Sequence, residues 1–147
     1  MIAVLRANES DIDWIMGELK EFDNFFDSKK SLYGDGVYQR DAMLGMIEKQ
    51  VVFVAWKNGD RVGFIAGFLA PHIYNPDITV LSEVFWWVPV KHRGSRAGLL
   101  LLRKFTEYGK QNADWVCLGI EDKSPINERT LTKRGYKLFE RNYVLET

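Results

Sequence analysis

The sequence predicts one mixed α/β domain spanning residues 1–147, and three observations carry that prediction. Apolar residues recur at helical spacing in some segments and form short continuous runs, typical of buried strands, in others. An Asn-Gly pair at residues 58–59 separates two apolar runs, which is the pattern of a tight β-hairpin. The 147 residues are 46% hydrophobic, which is enough for one core but hardly for two.

The N-terminal half begins with a strand and two helices. The run IAVLRA predicts a strand, and the residues NESD after it are typical of a helix N-terminus. A helix is predicted from about Asp11 to Phe26 because its apolar residues recur at helical spacing. The charged, glycine-bearing loop DSKKSLYGDGVY precedes a second, shorter amphipathic helix, YQRDAMLGMIEK. The hairpin VVFVAW–KNGD–RVGFIAGFLA follows.

The C-terminal half alternates strands and helices. After the loop PHIYNPD, the run ITVLSEVFWWV predicts a fourth strand whose aromatic residues need cover on both faces. A helix from about Ala97 to Asn112 comes next, then a buried strand, DWVCLGI. The segment SPINERTLTKRG predicts a short helix with Ser124 as its cap, Pro125 at its first position and Gly135 at its end. The last segment, YKLFERNYVLE, predicts a closing strand.

Charge and cysteine content restrict the functional classes. Lys plus Arg and Asp plus Glu each number 20, and this zero net charge argues against a general nucleic-acid-binding protein. The single cysteine, Cys117, fits a reducing compartment, and its strand-like surroundings favour a core residue over a nucleophile. The N-terminus lacks a signal-peptide pattern, and the apolar runs are far shorter than the ~20 residues of a membrane span. We therefore expect a cytoplasmic protein without a membrane partner.

The stretch VPVKHRGSRAGLLLLRKF, residues 88–105, is the most informative motif. It places Lys91, Arg93 and Arg96, together with two glycines, directly before a hydrophobic helix. A glycine-bearing turn between strand and helix presents unpaired N–H groups at the positive end of the helix dipole, which suits a phosphate. A Walker loop and the dinucleotide fingerprint are both absent. The residues alone are equally compatible with a phosphate-binding turn and with a solvated turn that carries scattered charges.

The motif and its place after the fourth predicted strand resemble the GNAT superfamily of acyl-CoA N-acyltransferases over nearly the whole chain. That family's motif is R/Q-x-x-G-x-G/A after a strand-ending Val, and Arg93, Gly98 and Val88 match it. Arg96 stands where the family has its middle glycine, and its guanidinium could meet a phosphate itself. The resemblance implies a central mixed, mostly antiparallel sheet of about six or seven strands flanked by about four helices. Tailed-phage genomes carry similar RGxRAG variants, which suggests a phage-encoded member.

The resemblance also implies acetyl-CoA, or another acyl-CoA, as cosubstrate and no metal. The pyrophosphate would lie on the turn before the third helix, and the pantetheine arm in a cleft where the fourth and fifth strands diverge. Backbone N–H groups at the end of the fourth strand would bind the pantetheine and the thioester carbonyl, where a developing oxyanion needs donors. Asn127 could bond the pantetheine or equally face solvent. The implied cofactor-binding residues are Trp87, Val88, Val90, Arg93, Gly94, Ser95, Arg96, Ala97, Gly98 and Asn127.

Glu83 is the candidate general base. Acylation requires a neutral amine, and Glu83 is the only carboxylate inside the fourth strand, where the family often places its base. Strand alternation predicts that Glu83 shares a face with Phe85 and Trp87, and apolar neighbours would raise its pKa. Alternatively, Glu83 pairs with a basic residue across the sheet or lies near solvent.

The family's general acid is usually a Tyr ahead of a Gly-aromatic pair, and that position is Leu131 in this sequence. Ser124 or Tyr136 would then protonate the departing thiolate. A general acid is also dispensable in principle, because the thiolate of a thiol with a pKa of about 8.5 is a tolerable leaving group.

The acceptor side is expected to be formed by the first two helices, their loop SKKSLYGDGVY and the loop PHIYNPD. Tyr33, Asp35, His72, Tyr74 and Asp77 could line that pocket, although the same residues are ordinary in turns. His72 has no ligand-like partner spacing, so no metal site is predicted.

The leading interpretation is an N-acetyltransferase of the acyl-CoA N-acyltransferase class (EC 2.3.1), acting on a primary amine of a small molecule or a protein. One alternative is a catalytically weak or inactive GNAT-like binding or virion-associated module. Another is a protein whose basic turn grips a nucleic-acid backbone. The apolar stripe of the first helix, which includes Phe22 and Phe26, belongs to the core or to a homodimer contact.

Overall fold

The computed structural model describes all of residues 1–147 and contains one five-stranded sheet. Strands β1 to β4 pair antiparallel in sequence order, and β5 joins the edge of β4 in parallel. The predicted mixed, mostly antiparallel sheet is therefore confirmed, with five strands instead of six or seven. The strands are β1 (Ile2–Arg6), β2 (Val51–Lys57), β3 (Asp60–Pro71), β4 (Thr79–Trp87) and β5 (Trp115–Cys117).

The structure has four α-helices: α1 (Ile12–Phe26), α2 (Val37–Lys49), α3 (Ala97–Asn112) and α4 (Glu128–Thr132). Helices α1 and α2 cover one face of the sheet, and α3 covers the other. Successive residues of β2 divide between two cores, because side chains alternate along a strand. Val52 and Val54 pack with α1 and α2, whereas Val51 and Phe53 pack with α3. None of the helices has the length and apolar character needed to cross a membrane.

The local sequence patterns that predict the first three elements and the hairpin are confirmed. Asn8 caps a short 3₁₀ turn ahead of α1, where its side chain accepts from the Ser10 N–H. Asn58 and Gly59 have φ angles of 52° and 81°, as a tight turn with two left-handed residues requires. The aromatic residues at the end of β4 pack on both faces of the sheet, with Phe85 and Trp87 towards α1 and Trp86 towards α3.

The chain beyond β5 differs from the prediction. The helix α4 begins at Glu128 with Asn127 as its cap, while Ser124 forms a separate turn by accepting from the Ile126 N–H. The predicted closing strand does not form, and residues 137–147 have no regular secondary structure. A strand needs a neighbouring backbone edge, and β5 offers only three residues of edge. The alternating apolar residues of this segment therefore do not suffice to form a strand.

A β-bulge interrupts the pairing of β3 with β4 next to the predicted base. Gly67 pairs with Glu83, but its neighbour Ala66 pairs with Phe85, so one residue of β4 is extra. A Cβ atom added at Gly67 would lie 2.6 Å from the carbonyl oxygen of Ser82 and 2.7 Å from the Phe105 ring. Only glycine allows β4 and α3 to approach the bulge this closely.

The substitution Gly67→Ala should lower the free energy of unfolding by about 1–3 kcal/mol, because the backbone of β4 must move to admit the methyl group. Gly17→Ala is the matched control. Nothing lies within 4 Å of a Cβ at Gly17 in α1, so that change should stabilise the protein by up to about 1 kcal/mol. Urea denaturation followed by circular dichroism measures both. Equal stabilities for the two variants would show that the bulge tolerates a side chain.

Candidate functional site

The cleft between β4 and β5 is the central feature of the site. The two strands pair at only three positions, the last of which joins Ser82 to Cys117. From Glu83 to Trp87 the edge of β4 that faces β5 has no strand partner. Backbone N–H and C=O groups along that edge therefore open into the cleft. The predicted divergence of the fourth and fifth strands is confirmed.

A cavity of about 260 Å³ lies at the open end of this cleft. Its walls come from the end of β4, the turn before α3, the last turns of α1 and the segment between β5 and α4. Seven of the predicted site residues line it: Trp87, Val88, Arg93, Gly94, Ser95, Gly98 and Ser124. The other lining residues are Phe22, Phe25, Trp86, Glu121, Pro125 and Ile126.

The N-terminus of α3 has free hydrogen-bond donors, and two of them, at Gly94 and Gly98, belong to residues that line this cavity. Ser95 Oγ accepts from the Ala97 N–H at 3.3 Å, but the N–H groups of Gly94, Arg96, Gly98 and Leu99 have no acceptor within the protein. Gly94 has a φ of 90°, which favours glycine. The free N–H groups and the helix dipole together fit an anion such as a diphosphate.

Arg96 does not strain the turn in which the GNAT family has glycine. Its φ and ψ are −83° and 6°, which any residue adopts. The side chain is exposed and makes no hydrogen bond or ion pair within the protein. The departure from the family motif therefore adds a free guanidinium beside the turn without distorting the backbone.

Arg93 is held in place by apolar and backbone contacts instead of a carboxylate. Its Nε donates to the carbonyl oxygen of Val88 at 2.9 Å. The guanidinium carbon lies 5.0 Å from the centroid of the Trp87 ring and 5.5 Å from that of Phe25. No carboxylate neutralises Arg93, so its positive charge is available to an anion at the mouth of the cleft.

Glu83 lies where the two strands separate. Its Oε1 accepts a hydrogen bond of 3.1 Å from the N–H of Gly119, which follows β5. Burial raises the pKa of Glu83 to about 7; the Gly119 hydrogen bond acts in the opposite sense, and the charge of Glu121 adds to the rise. The predicted rise in pKa is confirmed, and no ion pair involves Glu83.

The prediction that Glu83 shares a face with Phe85 and Trp87 is wrong. The bulge places Glu83 opposite Gly67 and Phe85 opposite Ala66, and consecutive residues of β3 point to opposite faces. Glu83 therefore points to the α3 side of the sheet, whereas the two aromatic side chains belong to the core under α1. The prediction assumed that side chains change face at every residue of a strand, and a one-residue bulge breaks that alternation.

Glu121 is a site residue that the sequence patterns did not reveal. It lines the cavity, and burial together with the charge of Asp122 raises its pKa. The sequence could have pointed to Glu121 through its position, because it lies just after the carboxyl end of β5. In a parallel pair that end faces the same edge as the end of β4.

Six of the predicted site residues do not line the cavity: Glu83, Val90, Arg96, Ala97, Asn127 and Tyr136. The Tyr136 hydroxyl shares a 2.6 Å hydrogen bond with Thr106 Oγ1 on α3, and burial raises the pKa of Tyr136. The Asn127 side chain caps α4 by accepting from the Arg129 N–H. Val90 lies exposed in a 3₁₀ turn, and Ala97 is buried in the core under α3.

The loop PHIYNPD does not border the cleft. The His72 ring packs 5.1 Å from the ring of Trp115, which is the first residue of β5 and lies at the closed end of the strand pair. Tyr33 packs against the core under α1 and α2, and Asp35 accepts from the Val37 N–H near the start of α2. None of Tyr33, Asp35, His72, Tyr74 and Asp77 lines the cavity at the mouth of the cleft, and their part in acceptor binding stays a prediction.

Neither a thiol nucleophile nor a metal cluster is built into the site. Burial, followed by the charge of Glu140, raises the pKa of Cys117, which keeps the thiol protonated. No group of three or more His, Cys, Asp and Glu side chains is arranged to hold a metal ion.

No protein-family model and no curated protein matches the sequence, but solved structures match its fold. A putative acetyl transferase from Pyrococcus furiosus is 20% identical and superposes with a TM-score of 0.74 over 100% of this chain and 99% of that chain. A predicted acetyltransferase with acetyl-CoA from Clostridium acetobutylicum is 13% identical, with a TM-score of 0.74 over 99% and 96% of the two chains. A transcriptional regulator from Bacillus halodurans C-125 is 16% identical, with a TM-score of 0.75 over 100% of both.

The chain has the GNAT fold. Sequence identities this low establish the architecture alone, so the activity rests on the geometry of the site. Within this fold, β4 and β5 separate as the sequence resemblance predicts.

Glu83→Gln should remove a pH dependence of stability. The folded-state pKa of about 7 lies above the ordinary value of 4.5, so the folded protein favours the protonated acid. That stabilisation is complete below about pH 4.5 and is lost as the pH rises through about 7. Relative to Glu83→Gln, the wild-type free energy of unfolding should fall across this window in urea titrations at successive pH values. A constant difference between the two proteins would mean that the pKa of Glu83 is not raised.

Proposed function

We propose that the chain is an N-acetyltransferase that transfers an acetyl group from acetyl-CoA to a primary amine. The observation that carries the proposal is the unpaired edge of β4, which leads to the free N–H groups of α3. An extended thioester arm needs such an edge, and its diphosphate needs such donors. The GNAT fold supports the same activity.

In this proposal the diphosphate binds the N–H groups of Gly94, Arg96 and Gly98, and the guanidinium groups of Arg93 and Arg96 neutralise its charge. The arm runs along β4 towards Glu83, with backbone groups near Trp87 as its partners. A Cβ at Gly98 would make only ordinary contacts with Val88 and Trp86, so packing within the protein does not require glycine there. Close approach of the phosphates gives that glycine its role.

The chemistry is direct attack of the amine nitrogen on the thioester carbonyl. The C–N bond forms, the C–S bond breaks, and the proton of the amine passes to Glu83 directly or through one water. A carboxyl with a pKa of about 7 is half ionised at neutral pH, which suits a base that must both accept and release a proton. The Ser124 hydroxyl, which lines the cavity, or solvent returns a proton to the thiolate. Tyr136, the other predicted acid, does not line the cavity, and its hydroxyl shares a hydrogen bond with Thr106 on α3.

Acetyl-CoA should raise the thermal midpoint of unfolding. A ligand that binds only the folded state at a hundredfold excess over its Kd stabilises it by about 2.7 kcal/mol. Arg96→Ala should weaken acetyl-CoA binding about tenfold, since a charge-assisted contact of about 1.4 kcal/mol is lost while the ligand-free stability is unchanged. Lys104→Ala, on the exposed side of α3, removes the same charge away from the turn and is the control. The proposal fails if acetyl-CoA leaves the midpoint of the wild-type protein unmoved.

Glu83→Gln should lower kcat about a hundredfold, which is a typical contribution of a general base. Acetyl-CoA binding should stay unchanged, since Glu83 lies away from the diphosphate turn. The wild-type kcat should rise with pH and level off above about 7, as the carboxyl loses its proton, and the variant should lack this inflection. Free-thiol release with saturating amine measures both profiles. Near-normal turnover of the variant, or an unchanged inflection, would exclude Glu83 as the base.

A further inference from the structure

A second cavity, of about 720 Å³, adjoins the cleft. It lies between the loop that follows α1 and residues 144–147, and the segment after β5 forms its floor. Phe25 and Glu121 line both this cavity and the 260 Å³ cavity at the mouth of the cleft. A molecule bound in the larger cavity would therefore have one end at the cleft.

The walls of the larger cavity are ordered by hydrogen bonds. Asp23 accepts from Ser31 Oγ at 2.6 Å and from the Leu32 N–H at 2.8 Å, which fixes the loop after α1. Glu146 Oε2 accepts from the Lys29 N–H at 2.7 Å, and the Glu146 carbonyl accepts from Lys29 Nζ at 3.2 Å. These bonds join the C-terminal segment to the loop and hold these two walls of the cavity together.

Part of the lining is apolar and exposed. Phe26, Leu32 and Val144 are 39%, 55% and 86% exposed, and all three line this one cavity. A bound molecule that filled the space between these three side chains would remove their apolar surface from water. The lining therefore favours a ligand with a large apolar group.

Charged groups of both signs line the cavity, and they lie close to the cleft. Glu121 lines both cavities, and Asp122 and Lys123 follow it directly in the chain. Lys30 and Lys123 also line the larger cavity, and neither ammonium group makes an ion pair or a hydrogen bond within the protein. Lys29 and Glu146 are already engaged with each other. A ligand that satisfies charges of both signs carries an ammonium and an anionic group.

We infer that the acceptor is an α-amino acid with a large apolar side chain. Its ammonium group lies at Glu121, its carboxylate meets Lys30 and Lys123, and its side chain packs against Phe26, Leu32 and Val144. The inference rests on the proposed acetyl transfer and narrows its acceptor. A simple amine would leave both lysines without a partner, and a polyamine would bring a second ammonium group against them.

Binding of L-phenylalanine, phenethylamine and cadaverine, measured by calorimetry, tests the inference independently of turnover. L-Phenylalanine should bind about tenfold more tightly than phenethylamine, which lacks only the carboxylate. L-Alanine should bind at least about tenfold more weakly than L-phenylalanine, because it lacks the apolar group. Cadaverine should bind most weakly. The same order should appear in kcat/KM for thiol release from acetyl-CoA, with the differences in KM.

The double variant Lys30→Gln/Lys123→Gln should lose about tenfold in affinity for L-phenylalanine and should bind phenethylamine as the wild type does. Lys104→Gln/Lys110→Gln removes two charges from the exposed side of α3 and is the matched control. Equal binding of phenylalanine and phenethylamine to the wild type, or equal losses for both ligands in the variant, would overturn the inference. Turnover of other amines would then leave the acetyltransferase proposal standing. If phenylalanine binds as expected but acetyl-CoA does not bind, the acceptor pocket stands and the proposed transfer fails.

Discussion

The separation of β4 from β5 is the constraint on which the rest of the site depends. The ladder ends at the pair of Ser82 and Cys117, and the next strand-directed donor, the N–H of Gly119, bonds to the Glu83 side chain instead of the β4 backbone. Bulges bend a strand and increase its local twist, and this bulge lies beside Glu83, where the pairing of β4 with β5 has ended. A parallel pair that would otherwise close thus becomes a cleft with a carboxyl group at its inner end.

The open end of the cleft is positively charged, in contrast to the inner end with its carboxyl group. Free N–H groups at the start of α3 and the guanidinium groups of Arg93 and Arg96 concentrate positive charge there, with no carboxylate paired to either arginine. At the inner end, burial raises the pKa of Glu83, and the charge of Glu121 adds to the rise. One cleft therefore holds an anion-binding mouth and a carboxyl group able to exchange protons near neutral pH, a combination suited to a charged thioester donor and an amine.

Helix α1 connects these regions. Phe22 and Phe25 make edge-on contacts with Trp87 at centroid distances of 5.5 and 5.8 Å, and Trp87 Nε1 donates to Glu18 at 3.0 Å. The same Phe25 supports the guanidinium of Arg93 and lines both cavities. The position of α1 on the sheet therefore sets the mouth of the cleft and the wall of the larger pocket together.

The sequence by itself determined the elements whose signals are local: the amphipathic α1, the Asn58–Gly59 hairpin, α3 and the basic turn before it. Tertiary structure alone decided the outcome wherever a distant partner was needed. The bulge that turns Glu83 away from Phe85 depends on Gly67 and α3, and residues 137–147 find no strand partner despite their alternating pattern. Glu121 enters the site only because the ends of β4 and β5 meet, since a parallel pairing between segments far apart in the chain leaves no periodic trace in either one.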